Sequence, residues 1–397
     1  MSDEKEGSNA KDAPLRVLLM ISSMRGGGSE QQTLLLLRHL DRTRFTPHLY
    51  VLHRDGDLMS RVPADVTVHS FDDAPPSAGM YFPGRELRRQ VRHLRSVLKS
   101  QSIDVIYDRT FHMTMIAGPA AKAINVPRVS TIVSPPEHAL PLVESRFIEL
   151  KRRRLAKAYQ DSFRVVAVSR QAAESAHRYY GLTSQIIEVI PNPVDPQSLQ
   201  ESISAEPATG DDTDELSLVC VGRMTAEKGH RDLIDAMIVL DETTVKRPKI
   251  RLRLIGDGPL RHDLESQWSA SPRTNVIEFM GRVDQPAKWI AAADALILPS
   301  HFEGMPNVVL EAMSLRTPVI ATSAGGTVEL EHDEPTIQWA DPHSPDSLAN
   351  AILDFAADPS SAQQRVIAAS RMIQTHHNVV TTTQRIEAVL QEAVPTN

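Results

Sequence analysis

Glu303 and Glu311 bracket seven residues in EGMPNVVLE, between a run that reads as a buried strand and one that reads as a helix. Ala295-Leu296-Ile297-Leu298 is short, apolar throughout and closed by Pro299, as suits a parallel strand covered on both faces. Residues 308–315 suit a helix, with Pro306 or Asn307 near its first turn, where a missing N–H costs little. Glu303 then sits in a strand-to-helix loop and Glu311 more than a turn into the helix. One carboxylate can face a sugar while the other accepts hydrogen bonds from a ribose, at the carboxyl edge of a parallel sheet. Glutamate is also common in first helical turns, so the pair takes its meaning from its surroundings.

Those surroundings are loops at strand ends. Gly26-Gly27-Gly28 follows a strand and opens a helix, removing side chains where a backbone could approach an anion. Its spacing is not the GxGxxG dinucleotide fingerprint, and a plain tight turn is the competing reading. Arg223 and Lys228 flank one turn after the strand 216–221. A planar guanidinium beside a compact ammonium suits a diphosphate, whereas a solvated surface pair is the bland alternative. Gly256 and Gly258, in LIGDGP, end another strand at that edge and would shape the base and ribose wall. SAGGTVE, from Ser323 to Glu329, is one more glycine turn between strand and helix. With the Glu303 loop, the last three make four loops converging on the carboxyl edge of one sheet, and that makes the signal specific.

The elements that must position these loops alternate along the chain. Strand-like runs are Leu15–Ile21, 46–52, 66–70, 104–107, 128–133, 164–168 and 186–190. Helical patterns lie between most of them, at 85–101, 113–123, 143–160 and 170–180. A helix through Leu40 is expected after the first strand, with Ser29 and Gln32 in capping-box register. A polar, acidic segment from Ser202 to Glu215 separates this block from a second. There the strands read as 216–221, 250–255, 276–279, 295–298 and 318–321, with late helices near 346–356, 361–376 and 380–392. The expectation is two doubly wound α/β domains facing across a cleft. Their bounds are a disordered leader over 1–14, an N-terminal domain over 15–200 and an acidic linker over 201–215. A C-terminal domain over 216–375 follows, and a helix over 376–397 packs back toward the N-terminal domain.

At 397 residues the chain exceeds one ordinary core. A formal charge of −7 argues against general nucleic-acid binding. The single cysteine, Cys220, lies in an apolar run and reads as a buried thiol. The polar N-terminus lacks a signal-peptide core, and no apolar run reaches the ~20 residues that span a bilayer, so a cytoplasmic chain is expected. The sequence holds no His/Cys cluster at metal-ligand spacing, and Asp211-Asp212-Thr213-Asp214 reads as a solvated charge run.

Taken in order, GGGSE, IPNPVD, VGRMTAEKG, LIGDGP, LPSHFEGMPNVVLEAM and PVIATSAGGTVE resemble the retaining glycosyltransferases with the GT-B fold, and more narrowly family 4. The resemblance covers roughly residues 15–390 and is most specific in the C-terminal half. It implies two Rossmann-like domains and a hexosyl-type transfer from a nucleotide-diphosphate sugar as co-substrate, without cofactor or metal. Uridine diphosphate is favoured over guanosine diphosphate by family frequency. The acceptor hydroxyl would belong to a saccharide or lipid-linked intermediate of cell-surface polysaccharide, lipopolysaccharide or glycolipid synthesis. Carried over by motif, Glu311 would bind the ribose and Arg223 with Lys228 the diphosphate. Glu303 would contact the donor sugar at the reacting face. Gly304, Met305 and Asn307 would offer backbone groups to sugar or phosphate, and Gly27 and Gly28 would close over the diphosphate.

One departure concerns histidine. Many members place one just after the strand matched by 128–133; here that position reads VSPPEH, and His138 comes about five residues late. His138, then His112 beyond the preceding strand, are the catalytic candidates on the acceptor side. Residues 72–83 and the proline-rich 134–145 are the candidate acceptor loops. Two basic groups, Arg85, Arg88, Arg89, Arg92, Arg95 and Lys99, then Lys151, Arg152, Arg153, Arg154 and Lys157, could hold the domain peripherally at an anionic membrane face. The absent histidine leaves a catalytically silent nucleotide-sugar-binding partner of another transferase as the alternative, alongside an epimerase or phosphorylase on the same fold.

Overall fold

The structure is a computed structural model describing residues 13–75, 84–144, 146–203, 215–243, 247–269 and 274–395. The leader up to residue 12, the acidic run 204–214, the acceptor-loop residues 76–83 and Ser145 lie outside these described residues.

Two all-parallel sheets carry the molecule. The first holds β1 (Leu15–Ile21), β2 (Phe45–Val51), β3 (Thr67–Ser70), β4 (Val105–Arg109), β5 (Arg128–Ile132), β6 (Arg164–Ala167) and β7 (Ile187–Val189), in the order β3-β2-β1-β4-β5-β6-β7. The second holds β8 (Glu215–Val221), β9 (Lys249–Ile255), β10 (Val276–Gly281), β11 (Ala295–Leu298), β12 (Val319–Thr322) and β13 (Gln338–Ala340), in the order β10-β9-β8-β11-β12-β13. Strand order reverses direction between β1 and β4 in one sheet and between β8 and β11 in the other. In such sheets helices diverge on either side of the reversal, leaving a crevice at the strands' carboxyl ends. The GT-B arrangement of two Rossmann-like halves is therefore present in full.

The expected strands fall within a residue or two of those observed, because buried parallel strands are near-continuous apolar runs. β13 is the exception: Gln338-Trp339-Ala340 is too short and mixed to stand out, and pairing with β12 defines it. The capping box on Ser29 is corrected. The first helix runs Gly28–His39 with Gly27 at its N-cap and no side-chain cap. Ser29 is thus already helical and cannot cap. The single helix expected over 143–160 is corrected as well. Two helices, Pro136–Val143 and Ile148–Gln160, flank a break where Phe147 adopts φ 57°. Part of the expected acceptor loop is thereby helical despite Pro141.

The chain crosses between the halves twice. The helix Pro196–Ile203 leads out of the first sheet domain. After the helix Pro359–His376, Val194 and Asn378 form a parallel bridge. The final helix, Val379–Ala393, then buries Ile386, Val389 and Leu390 in the core under β1, β4 and β5. Its Glu387, 2% exposed, accepts the Asp41 N–H at 2.7 Å and Arg44 Nη1 at 3.0 Å. A further apolar cluster is continuous across both sheets, from Ile132 and Val168 to Met305, Val309 and Ile373.

Beneath the end of β4 lies a buried ionic knot. Asp108, with no exposed surface, accepts from Arg128 Nη1 at 3.0 Å, from Ser130 Oγ at 2.7 Å and from Thr114 Oγ1. It pins β4 to β5 and to the helix Phe111–Lys122, whose first turn carries His112. Removing one partner of a buried pair strands the other's charge. Asp108→Ala should cost about 3–5 kcal/mol in urea unfolding; a loss near zero would show that the knot is dispensable.

Candidate functional site

The two crevices face each other, and a loop from each side of each reversal reaches the gap. Behind β1 comes the glycine loop; behind β4, Arg109 to His112; behind β8, Arg223 to Lys228; behind β11, His301 to Asn307. One side chain joins them. Asn307, first residue of the helix Asn307–Ser314, donates through Nδ2 to the Gly28 carbonyl at 2.8 Å. Its Oδ1 accepts from Asn192 Nδ2 at 2.9 Å and Gln32 Nε2 at 3.2 Å. Asn192 in turn accepts from the buried Arg109 Nη2 at 2.9 Å. Asn192 and Arg109 have no role in the sequence reading, and Gln32 enters it only as the capping-box partner of Ser29. Asn192 sits within IPNPVD, but nothing local shows that its amide reaches the opposite domain.

Gly304 meets the N-terminal domain backbone to backbone. A β-carbon there would overlap the Val133 carbonyl oxygen, so only glycine permits this approach. Met305 is 6% exposed and belongs to the shared apolar cluster, while its carbonyl accepts from Asn192 at 3.4 Å. The SAGGTVE turn also contributes across the gap. Glu329 accepts the Arg170 and Gln171 N–H groups at 2.9 Å each, satisfying free donors at the start of the helix Arg170–Tyr180. Gly256 and Gly258 press against the backbone of Gly222 and Met224. They shape the loop that presents Arg223.

Glu303 is 9% exposed, and its Oε1 accepts from Lys228 Nζ at 2.6 Å and Ser300 Oγ at 2.7 Å. The carboxylate is thus held in one orientation by a cation that would also face a diphosphate. Arg223 is exposed and has no partner among the described residues. Gly27 and Gly28 start their helix opposite Asn307, with amides open at its N-terminus.

Glu311 lines an open cleft together with Gln31, Arg38, Asp195, Asp284 and Asn307. Burial pushes its carboxyl from the ordinary 4.5 up to about 7. No protein donor answers Glu311 among the described hydrogen bonds. A partly buried acceptor facing a cleft without partners is poised for a ligand with hydroxyl groups.

The histidine candidates part company. His138 is more than half exposed and stacks on Phe302, ring centroids 5.3 Å apart, so it lies across the gap from Glu303's neighbour. His112 is half-buried; burial first, then Lys151 and His53, lower its pKa and keep its ring neutral near neutral pH. Thr110, just before it, is held at φ 80°, a region few side chains adopt. Elsewhere the fold assembles a set that its sequence spacing hid: Asp232, His301 and His343 bring one ligand atom each within 4.8 Å of one another.

Residues 26–198 match the family described as Glycosyltransferase Family 4, and residues 215–358 match Glycosyl transferases group 1. The chain belongs to the family 4 glycosyltransferases. An uncharacterized glycosyltransferase of Methanocaldococcus jannaschii is 31% identical over 197 residues, 48% of this chain and 50% of that protein. The match thus spans about half the length of that relative. Anabaena HepE in complex with UDP-glucose shares the fold, with TM-score 0.75 and 22% identity over 95% of this chain and 100% of that one. The lipopolysaccharide outer core galactosyltransferase WaaB does so at TM-score 0.68 and 16% identity, over 95% and 99%.

The shifted carboxyl of Glu311 makes a prediction with a definite sign. Between pH 4.5 and about 7 the unfolded chain releases a proton that the folded chain keeps, so stability falls as pH rises. Glu311→Gln should therefore melt with the wild type at about pH 4 and above it at about pH 8. A difference independent of pH would refute the shift.

Proposed function

We propose that this glycosyltransferase moves a hexose from a uridine-diphosphate donor to a hydroxyl acceptor, with retention at the anomeric carbon. The observation that carries the reading is the Lys228–Glu303 pair at 2.6 Å, which joins the turn after β8, with its exposed Arg223, to the loop after β11 that leads into the helix bearing unanswered Glu311. The ribose hydroxyls donate to Glu311, and the diphosphate lies between Arg223, Lys228 and the amides at the start of the helix Gly28–His39. Glu303, oriented by Lys228 and Ser300, faces the sugar.

Transfer breaks the bond between the anomeric carbon and the diphosphate oxygen and forms one to the acceptor oxygen on the same face. The acceptor proton passes to a donor phosphate oxygen. Charge grows on the leaving diphosphate, and fixed cations and amide dipoles in a water-poor cleft stabilise it without reorganising. On this reading they fill the role of a metal. His138 and neutral His112 lie on the acceptor side, where they can hydrogen-bond the incoming hydroxyl. The fold neighbour solved with UDP-glucose supports the choice of donor.

Arg223→Ala tests this directly. Because Arg223 is exposed and unpaired among the described residues, the variant should melt like the wild type yet lose about 100-fold or more in kcat. A saturating nucleotide sugar should stabilise the wild type by about 2.7 kcal/mol at a hundredfold excess over Kd. Full activity in the variant would sink the diphosphate assignment. A folded chain with no turnover but intact donor binding would favour the silent-partner reading.

The acceptor side points to a membrane-bound substrate. Leu142, Val143, Phe147 and Leu150 are 54%, 61%, 73% and 49% exposed, around the break between two helices. Arg153, Arg154 and Lys157, also exposed, follow on the second helix. An apolar tip with cations following on the next turns suits shallow insertion into an anionic bilayer face. No helix among the described residues is long and apolar enough to cross a membrane. Phe147→Ser with Leu150→Ser should abolish pelleting with phosphatidylglycerol vesicles and spare donor binding. Unchanged pelleting would overturn the membrane reading alone.

A further inference from the structure

Asp232, His301 and His343 take no part in the donor site, yet each comes from an element bordering it. Asp232 lies in the first turn of the helix His230–Glu242, directly after the Lys228 turn. His301 stands two residues before Glu303, and its N–H donates to the Glu227 carbonyl at 2.8 Å. His343 lies in the turn between β13 and the helix Pro345–Ala357, held at φ 59°. A non-glycine residue in that region is a strained placement that the surrounding structure must maintain. The strain delivers the His343 ring onto His301, with centroids 3.7 Å apart. His301 Nε2 is 2.8 Å from Asp232 Oδ2.

We propose that these three side chains bind one transition-metal cation, with Zn²⁺ as the best fit. Two imidazoles and one carboxylate are the ligands of a borderline ion; magnesium and calcium take oxygen-rich sets instead. Three protein ligands leave a fourth, tetrahedral position, and exposed His343 opens the site to water there. Bonds of about 2.0–2.1 Å place tetrahedral ligand atoms roughly 3.3 Å apart. The Asp232–His301 contact opens by roughly half an ångström to admit the ion, and the two tilted rings move apart. Binding to His301 Nε2 places that ring's proton on Nδ1.

The ion braces the donor site and takes no part in transfer. It ties the loop carrying Glu303 to the helix that follows Lys228, and both to the β13 turn. The Lys228–Glu303 pair is thereby fixed from behind.

The test uses the full purified chain, stripped with chelator and dialysed against Zn²⁺, with metal counted by mass spectrometry and melting followed in parallel. Wild type should hold one zinc per chain and melt higher with it. His343→Ala, which alters an exposed residue and should fold, should lose both the zinc and the rise. His376→Ala, which removes a ring from the separate His332–His376 stack, should keep both. Absence of zinc from wild type, or its retention by His343→Ala, would overturn the proposal. None of these readouts needs turnover, so they stand apart from the fate of the transferase reading.

Discussion

Asn307 offers one carboxamide, and groups from the opposite domain take up both its ends. Gly28 supplies an acceptor, while Asn192 and Gln32 supply donors. An amide has fixed donor and acceptor ends, so this node sets both the distance and the orientation of the glycine loop over the donor loops. The close approach of Gly304 to Val133 depends on the same relationship. So does Glu329 at the start of the helix Arg170–Tyr180. Were the domains shifted by an ångström, several of these contacts would fail together.

Much of this architecture could be read from the residues. β1 and β11 were legible as buried apolar runs, and the helix Arg170–Tyr180 as a helical pattern over the same residues. The loops that follow β1, β8 and β11 were legible too, because glycines, cations and carboxylates crowd there. What stayed hidden needs a partner distant in sequence. β13 exists through β12, Asn192 acts through Asn307, and the helix start at Gly28 rather than beyond Ser29 follows from the glycine turn. Phe147 breaks a helix with no glycine or proline beside it, so its break could be found only in three dimensions. Asp232, His301 and His343 show the same limit for metal-type sets: spacing rules find ligands that are close along the chain.

Electrostatics divide the two glutamates of the opening motif. Glu303 is neutralised in place by Lys228, so its burial is compensated. Glu311 has no such partner and bears the desolvation itself. A protein that keeps such a group gives up stability in its empty state and recovers it on binding, when ligand hydroxyls replace the missing water. On the proposed reading, a ligand hydroxyl at Glu311 would link binding to proton release near neutral pH.

The two chain crossings, at the helix Pro196–Ile203 and at the Val194–Asn378 bridge, lie near one another because Val194 and Asn378 pair. A body pinned at one flexible point can swivel in any direction. With a second strand crossing beside the first, and the last helix sunk into the far domain's core, sliding and twisting are suppressed and rocking is left. Any opening of the cleft would then be a rotation about a short axis near residues 194 and 378, with loops far from that axis sweeping the longest arcs.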